Sequence, residues 1–281
     1  MQVVHRTTGL KNDSGGALVP TMGALHKGHE ALIRRAQELP QPLIVSIFVN
    51  PTQFGPGDDW QRYPRTLDAD LAAAERAGAD IVFAPDAEAM YPPDDEVPVP
   101  TLPAVATSPG LEDAHRPAHF SGVCQVVARL FDLLRPSAAV FGEKDYQQLL
   151  VVTEMVRAEG DRWPGLQIVA HPTVRDEDGL AMSSRNACLP PEARNQALGL
   201  YQALESARRT AANGTEPRTI ERDLYSRLRQ HGLDVDYAAV RDARTLLRPT
   251  GGQPTRALIA ARVSGVRLID NMALSDAEWH A

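Results

Sequence analysis

Up to about residue 175, apolar positions follow two alternating rhythms. Short runs rich in apolar and β-branched residues are ALVP (17–20), PLIVSIFVN (42–50), DIVFAP (80–85), AAVFG (138–142) and LQIVAHPTV (166–174). None alternates with period two, so each reads as a strand buried on both faces, as in a parallel sheet. Between them lie stretches of helical period at 29–39, 66–79, 121–134 and 146–160. The second ends at Gly78 and the fourth at Gly160. The third opens at Ser121, an expected N-cap, and stops before Pro136. Strand–helix alternation of this kind predicts βαβ units, and with them a Rossmann-like, doubly wound parallel sheet.

Residues 86–120 break the rhythm. They are rich in proline and charge (YPPDDEVPVPTLP) and carry little periodicity, as covering loops often do. Beyond 175 the pattern changes again. Two long helical stretches (191–213 and 217–231) precede DVDYAAV, RALIAARV and VRLIDNMAL, three strand-like runs. The expected organisation is an N-terminal α/β domain over 1–174 and a smaller α+β C-terminal domain over 175–281.

Composition narrows the class. Apolar residues make up 43% and charged residues 23% of the 281 positions, which suits a soluble globular protein. Acidic residues outnumber basic ones 36 to 29, a net charge of −7. That balance argues against a general nucleic-acid binder, whose footprint is a basic surface, but leaves room for a local basic pocket. The two cysteines, Cys124 and Cys188, show no metal-ligand spacing, so a reducing, cytoplasmic setting is expected. The N-terminus lacks a hydrophobic signal core. LIVSIFV (43–49) falls far short of the ~20 residues that span a bilayer.

Four stretches carry chemistry. PTMGALHKGHEAL (20–32) places Gly23, His26, Gly28 and His29 where the first strand gives way to its helix. Ligands of open α/β sheets bind at such carboxyl ends, and helix N-termini favour phosphate. Read alone, the stretch fits a capped helix with two exposed histidines as readily as a phosphate site. A zinc site lacks a third ligand at sensible spacing. NPTQF (50–54) offers the amides Asn50 and Gln53 at another strand end, or a simple proline turn. FGEKDYQQL (141–149) brings Gly142, Lys144, Asp145 and Gln148 to a third, with Lys144 as a point charge for phosphate and Asp145 as a Mg²⁺ carboxylate, or else a solvated helix start. DGLAMSSRN (178–186) presents Ser183, Ser184 and Arg185, a phosphate clamp or a polar linker.

In this order, PTMGALHKGH, VSIFVNPTQF, FGEKDYQQL and DGLAMSSRN closely resemble the pantoate–β-alanine ligase family. RPAHFSGV and RLIDNM add to the likeness, which runs from about residue 16 to 272. The first motif alone resembles the wider nucleotidyltransferase superfamily with its HxGH element. The resemblance implies ATP-dependent joining of pantoate to β-alanine through a pantoyl adenylate, with Mg²⁺ accompanying ATP and no tightly bound organic cofactor. It implies small-molecule substrates, neither nucleic acid nor membrane as partner, and a homodimer. Carried over, Pro20, Thr21, Met22, Gly23, His26, Gly28 and His29 line the ATP site, with Gly142, Lys144, Asp145, Val174, Met182, Ser183, Ser184 and Arg185. His29, His26, Lys144 and Arg185 carry catalysis. Gln53, Gln148, Asn50 and Met22 bind pantoate or β-alanine, and Asp145 stands near the metal. The C-terminal domain acts as a lid, with the Ser183–Arg185 loop and 86–120 as candidate covers. Asp113 and Ala118 stand where the family commonly has glycine; Arg116 and His119 between and beside them are candidate phosphate-side contacts. A nucleotidyltransferase that leaves the nucleotide on its product, and a non-catalytic nucleotide-binding module, are the other readings of these motifs.

Overall fold

The structure, a computed structural model, describes residues 1–6, 15–56 and 60–275. The apolar runs form β2 (Ala17–Thr21), β3 (Leu43–Ile47), β4 (Ile81–Phe83), β5 (Ala138–Gly142) and β6 (Gln167–His171), and β1 (Gln2–Val4) joins them as a strand too short for periodicity to reveal. They lie in one sheet ordered β1-β4-β3-β2-β5-β6, every pairing parallel. On one face Ala17, Val19, Leu43, Val45, Val82 and Val140 pack against Ile33 and Ala36 of α1 (Lys27–Ala36) and Ala74 and Ala77 of α2 (Leu67–Ala77). The intervening Leu18 and Ile44 point the other way and are just as buried. Continuous apolar runs are what a sheet covered on both sides requires.

The proline-rich stretch is not a free cover. It contains α3 (Ala87–Met90), a single 3-10 turn at Ala104–Ala106 and α4 (Glu112–His115). Met90 and Leu111 are fully buried. Gln125 Nε2 donates to the Val97 carbonyl at 2.7 Å, Arg129 Nε to Met90 at 3.1 Å and Gln147 Nε2 to Val105 at 2.9 Å. Prolines remove backbone donors, so side chains from the neighbouring helices make the bonds instead. Those helices are α5 (His119–Leu134) and α6 (Tyr146–Ala158). The N-cap of α5 is Ala118, not Ser121, because buried His119 and Phe120 extend its apolar stripe backwards. From β2 the chain steps through β3 to β4 in one direction, and from β5 to β6 in the other. Right-handed crossovers then put α6 on the face opposite α1 and α2. The direction reverses between β2 and β5, where ligand crevices form in such sheets.

The described chain divides into two compact units. The first holds Met1–Glu143 and Gln147–Pro172, and the second holds Lys144–Tyr146 and the chain from Thr173 onward. The main break thus falls two residues before the expected 174/175 boundary, and a three-residue piece of the third motif groups with the second unit. Tyr146 explains that grouping. Its hydroxyl donates to the Ala243 carbonyl at 2.8 Å and its ring lies under Arg256 at 3.7 Å. The second unit is an antiparallel sheet of β7 (Asp234–Asp242), β8 (Thr255–Val263) and β9 (Val266–Ala273) with α7 (Pro191–Ala212) and α8 (Pro217–Gln230). Leu200 and Leu204 of α7, Ile220, Leu224 and Leu228 of α8, and Ile259 and Ala261 of β8 share its core. Among the described residues, no helix is long and apolar enough to cross a membrane.

Candidate active site

At the end of β2 the chain turns through Gly23 and Ala24, both at positive φ (80° and 52°). A Cβ at Gly23 would sit 3.0 Å from Asp70 Oδ2 and 3.2 Å from Ile47 Cγ2, so the position needs glycine for space as well as conformation. Thr21 Oγ1 donates to the Ser46 carbonyl at 2.7 Å and accepts from Gly23 N–H at 3.2 Å. The buried Asp70 carboxylate accepts from Ala24 N–H at 3.0 Å and Leu25 N–H at 2.7 Å. His26 is then delivered as the N-cap of α1.

The two histidines form a reciprocal cap. His26 Nδ1 accepts from Gly28 N–H at 3.2 Å, and His29 Nδ1 accepts from His26 N–H at 3.3 Å. Their rings lie 4.0 Å apart, tilted by 36°. This is a capping box in which imidazole replaces the usual hydroxyl and carboxylate. An accepting Nδ1 carries no proton, so each neutral ring holds its hydrogen on Nε2. Both rings are half-buried. Of the two readings of the motif, the capped helix is the one this geometry displays, with each histidine engaged through Nδ1.

Met22 links this loop to the second motif, since Gln53 Nε2 donates to Met22 Sδ at 3.1 Å. Gln53 closes the 3-10 turn Pro51–Gln53, which Asn50 caps. Asn50 is fully buried and its amide is committed. Nδ2 donates to Gln53 Oε1 and to the Gly122 carbonyl, both at 3.1 Å. Oδ1 accepts from Tyr91 hydroxyl at 2.8 Å and from the Thr52 hydroxyl at 3.1 Å. In this structure the amide thus holds Gln53 in place. Arg116 and His119 reach the Gln53 carbonyl at 3.4 and 3.1 Å. Burial raises the Tyr91 phenol pKa, against the opposing hydrogen bond with Thr52 and the charge of Arg129, so the hydroxyl stays a donor. Asp113, one of the two departures from the family pattern, accepts from Gly110 and Leu111 N–H at 3.0 and 2.9 Å and closes the turn before α4. Gly142 ends β5 and Gln148 is half-buried one turn into α6, while Gln147 is consumed by Glu112 N–H and the Val105 carbonyl.

The second unit carries the remaining candidates. Lys144 Nζ lies 3.4 Å from Asp145 Oδ1, and the Lys144 carbonyl accepts from Asn271 Nδ2 at 2.9 Å. Met182 N–H donates to the Val174 carbonyl at 3.0 Å, bringing those two residues together. Ser183 caps the 3-10 turn Ser184–Cys188 by accepting from Arg185 N–H at 3.3 Å, and Asn186 ties the turn back to the Ala181 carbonyl at 2.9 Å. Arg175 grips buried Asp270 with two bonds of 2.7 and 3.0 Å, anchoring the RLIDNM strand beside this loop. Among the described residues, no cluster of three or more His, Cys, Asp or Glu side chains is placed to hold a metal.

The motif reading assigned no part to Asp70, Thr66, Tyr91 or Gly122, the last of which lies within RPAHFSGV. Asp70 had a signal: it shares a helical stripe with Ala73, Ala74 and Ala77, and a carboxylate on an otherwise apolar buried face needs internal donors.

A family model described as pantoate-beta-alanine ligase matches residues 2–273. A pantothenate synthetase of Nocardioides is 48% identical over 271 residues, covering 92% of this chain and 78% of the relative. One from Rubrobacter xylanophilus is 50% identical over 266 residues, with 92% and 90% covered. The crystal structure of pantothenate synthetase from Thermus thermophilus superposes with a TM-score of 0.91 at 43% identity, over 98% of this chain and 99% of that one. A pantoate-beta-alanine ligase from Francisella tularensis, complexed with beta-gamma ATP and beta-alanine, gives 0.78 at 30% identity, over 98% of each chain.

Proposed function

The chain belongs to the pantoate–β-alanine ligase family, and we propose that His26 and His29 hold the ATP triphosphate as neutral Nε2–H donors while Gln53 and Gln148 bind pantoate. The enzyme condenses pantoate with β-alanine at the expense of ATP, giving pantothenate, AMP and pyrophosphate through pantoyl adenylate. In the first step the pantoate carboxylate attacks the α-phosphorus and pyrophosphate leaves. In the second the β-alanine amine attacks the acyl carbon and AMP leaves. No protein nucleophile is required.

The observation that carries the assignment is the reciprocal histidine cap. Its two Nδ1 atoms accept backbone N–H groups, so each neutral ring carries its hydrogen on Nε2 as a donor held in place by the cap. Negative charge builds on phosphoryl oxygens as pyrophosphate departs, and removing one such fixed donor costs on the order of 10²–10³ in rate. Lys144 adds a point charge and Arg185 a planar fork. Pro20 to Gly23, Gly28, Gly142, Val174 and Met182 to Ser184 frame the nucleotide. ATP enters with Mg²⁺, which needs only one or two protein carboxylates beside substrate oxygens and water. Asp145, with a side chain 47% exposed, fits that part; the ion would neutralise phosphate charge. The second unit serves as the cover that keeps water from the adenylate. The chain works as a homodimer in the cytoplasm, a setting that two free cysteines suit.

Incubation with MgATP and pantoate is expected to give pyrophosphate exchange, and addition of β-alanine to release AMP. ADP in place of AMP overturns the reading. His29→Ala is expected to abolish exchange while leaving the fold intact, and near-normal exchange in that variant removes His29 from the chemistry.

A further inference from the structure

Asp70 belongs to no motif, yet it is 2% exposed and its carboxylate is surrounded by donors aimed at it. Oδ2 takes Ala24 N–H at 3.0 Å and Oδ1 takes Leu25 N–H at 2.7 Å. Thr66 Oγ1 reaches both oxygens, at 3.3 and 3.2 Å. Thr66 is the N-cap of α2, but its side chain makes no capping bond to that helix. A threonine at this position ordinarily accepts from its own helix. Here the hydroxyl is turned to the carboxylate instead.

The bonds fall on the segment that sets the histidines. Gly23 and Ala24 are held at positive φ, a conformation that costs a non-glycine residue such as Ala24 energy. Two adjacent N–H groups converging on one carboxylate keep the turn in that form. One residue later His26 begins the cap, with Nδ1 accepting from Gly28 and its own N–H donating to His29 Nδ1. A turn that relaxes at Ala24 rotates the His26 N–H away from His29 and leaves that ring free to change tautomer.

We propose that Asp70, fixed by Thr66, is a positioning residue for adenylation: it grips the Ala24–Leu25 backbone so that His26 and His29 are locked together as Nε2–H donors. Asp70 touches no substrate; it acts through the histidine loop. The inference rests on the assignment of those histidines to the triphosphate.

The test compares Asp70→Asn, Thr66→Val, Thr66→Ser and His29→Ala in the full chain. Asn keeps the shape of Asp but can accept from only one of the two N–H groups. Pantoate-dependent pyrophosphate exchange is expected to fall by about 100-fold in Asp70→Asn, the scale of a small misplacement at a reacting centre, with the KM for β-alanine unchanged. Thr66→Val is expected to fall less, and Thr66→Ser to recover the wild-type rate because the hydroxyl returns. Imidazole nitrogen NMR of histidine-labelled protein is expected to show both loop rings as Nε2–H tautomers in wild type and a tautomer mixture in Asp70→Asn. Asp70→Asn with the wild-type rate and unchanged ring signals, while His29→Ala is dead, overturns the role of Asp70 alone. His29→Ala with a normal rate overturns both the histidine assignment and the inference built on it. A loss in Asp70→Asn that matches its unfolded fraction, with Thr66→Val as active as wild type, also overturns it.

Discussion

Asn50 and Gln53 are both amides at one strand end, and their surroundings give them different work. Asn50 spends its amide on Gln53, Gly122, Thr52 and Tyr91. Gln53 is held by its neighbours through Oε1 and through its carbonyl, while its Nε2 donates to the soft sulfur of Met22. A thioether is a weak acceptor, readily exchanged for a substrate oxygen. Gln53→Ala is therefore expected to raise the KM for pantoate well above any change in the KM for ATP, with little change in Tm. Asn50→Ala removes the acceptor shared by the Tyr91 and Thr52 hydroxyls, a loss of about 1–3 kcal/mol when a buried partner is left unsatisfied. Its Tm is expected to drop along with pantoate affinity. Steady-state kinetics and thermal melts on the pair separate the two roles; identical profiles would place both residues in the same one.

Between elements, contact distance is set by single residues. Gly122 lets α5 lie directly on the turn at Pro51–Gln53: a Cβ there would stand 2.4 Å from the Thr52 carbonyl and 2.5 Å from Gln53 Cα. Both obstacles are backbone, so Gly122→Ala must move the helix or the turn, at the ~1–3 kcal/mol typical of overpacking. The expected result is a lower Tm and a raised pantoate KM; unchanged values for both would mean the turn yields freely. In the second unit, Asp242 closes the connection after β7. Burial alone would raise its pKa, but the Thr245 N–H and hydroxyl, the Arg244 N–H and the Arg244 charge together hold it below the ordinary carboxylate value. A depressed folded pKa stabilises the fold above the unfolded value of about 3.9 and loses that contribution as pH falls through the lower folded one. The Tm gap between wild type and Asp242→Asn should thus be widest near neutral pH and close in acid; a gap independent of pH would leave the charge without a part.

The helices and buried strands were legible because their apolar periods are long and their stops are glycine or proline, as at Gly78, whose φ of 94° ends α2. The three-residue β1 was not, since a strand that short carries no period. Ser121 misled as a cap because a polar residue can sit inside a first turn when His119 and Phe120 before it are buried. The motifs were legible as strand ends and helix starts, but Asp70, Tyr91 and Gly122 act across 46, 41 and 72 positions of chain. Contacts at such separation leave no local spacing to read, only oddities such as an acid on an alanine stripe.

At the scale of the whole molecule, the third motif is divided. Gly142 belongs to the first unit, and Lys144, Asp145 and Tyr146 to the second. Tyr146 is the anchor, 2% exposed, with its ring under a buried arginine and its hydroxyl on the Ala243 carbonyl. In the sequence it merely opens a helix of the α/β half, so truncation is expected to destabilise the other half. Tyr146→Ala should cost about 3–5 kcal/mol, the range for removing a buried aromatic ring. It also leaves the guanidinium of Arg256 without the ring beside it. Tyr146→Phe keeps the ring and should lose only about 0.5–1.5 kcal/mol for the hydroxyl bond. Hydrogen exchange resolves where the loss falls: amides of β7, β8 and β9 are expected to exchange faster in Tyr146→Ala while those of β2, β3 and β5 keep their protection. Equal loss across both sheets would mean that Tyr146 serves the parallel sheet as much as the antiparallel one. If the loss is confined to β7–β9, Tyr146 and the lysine two residues upstream take their position from the C-terminal unit.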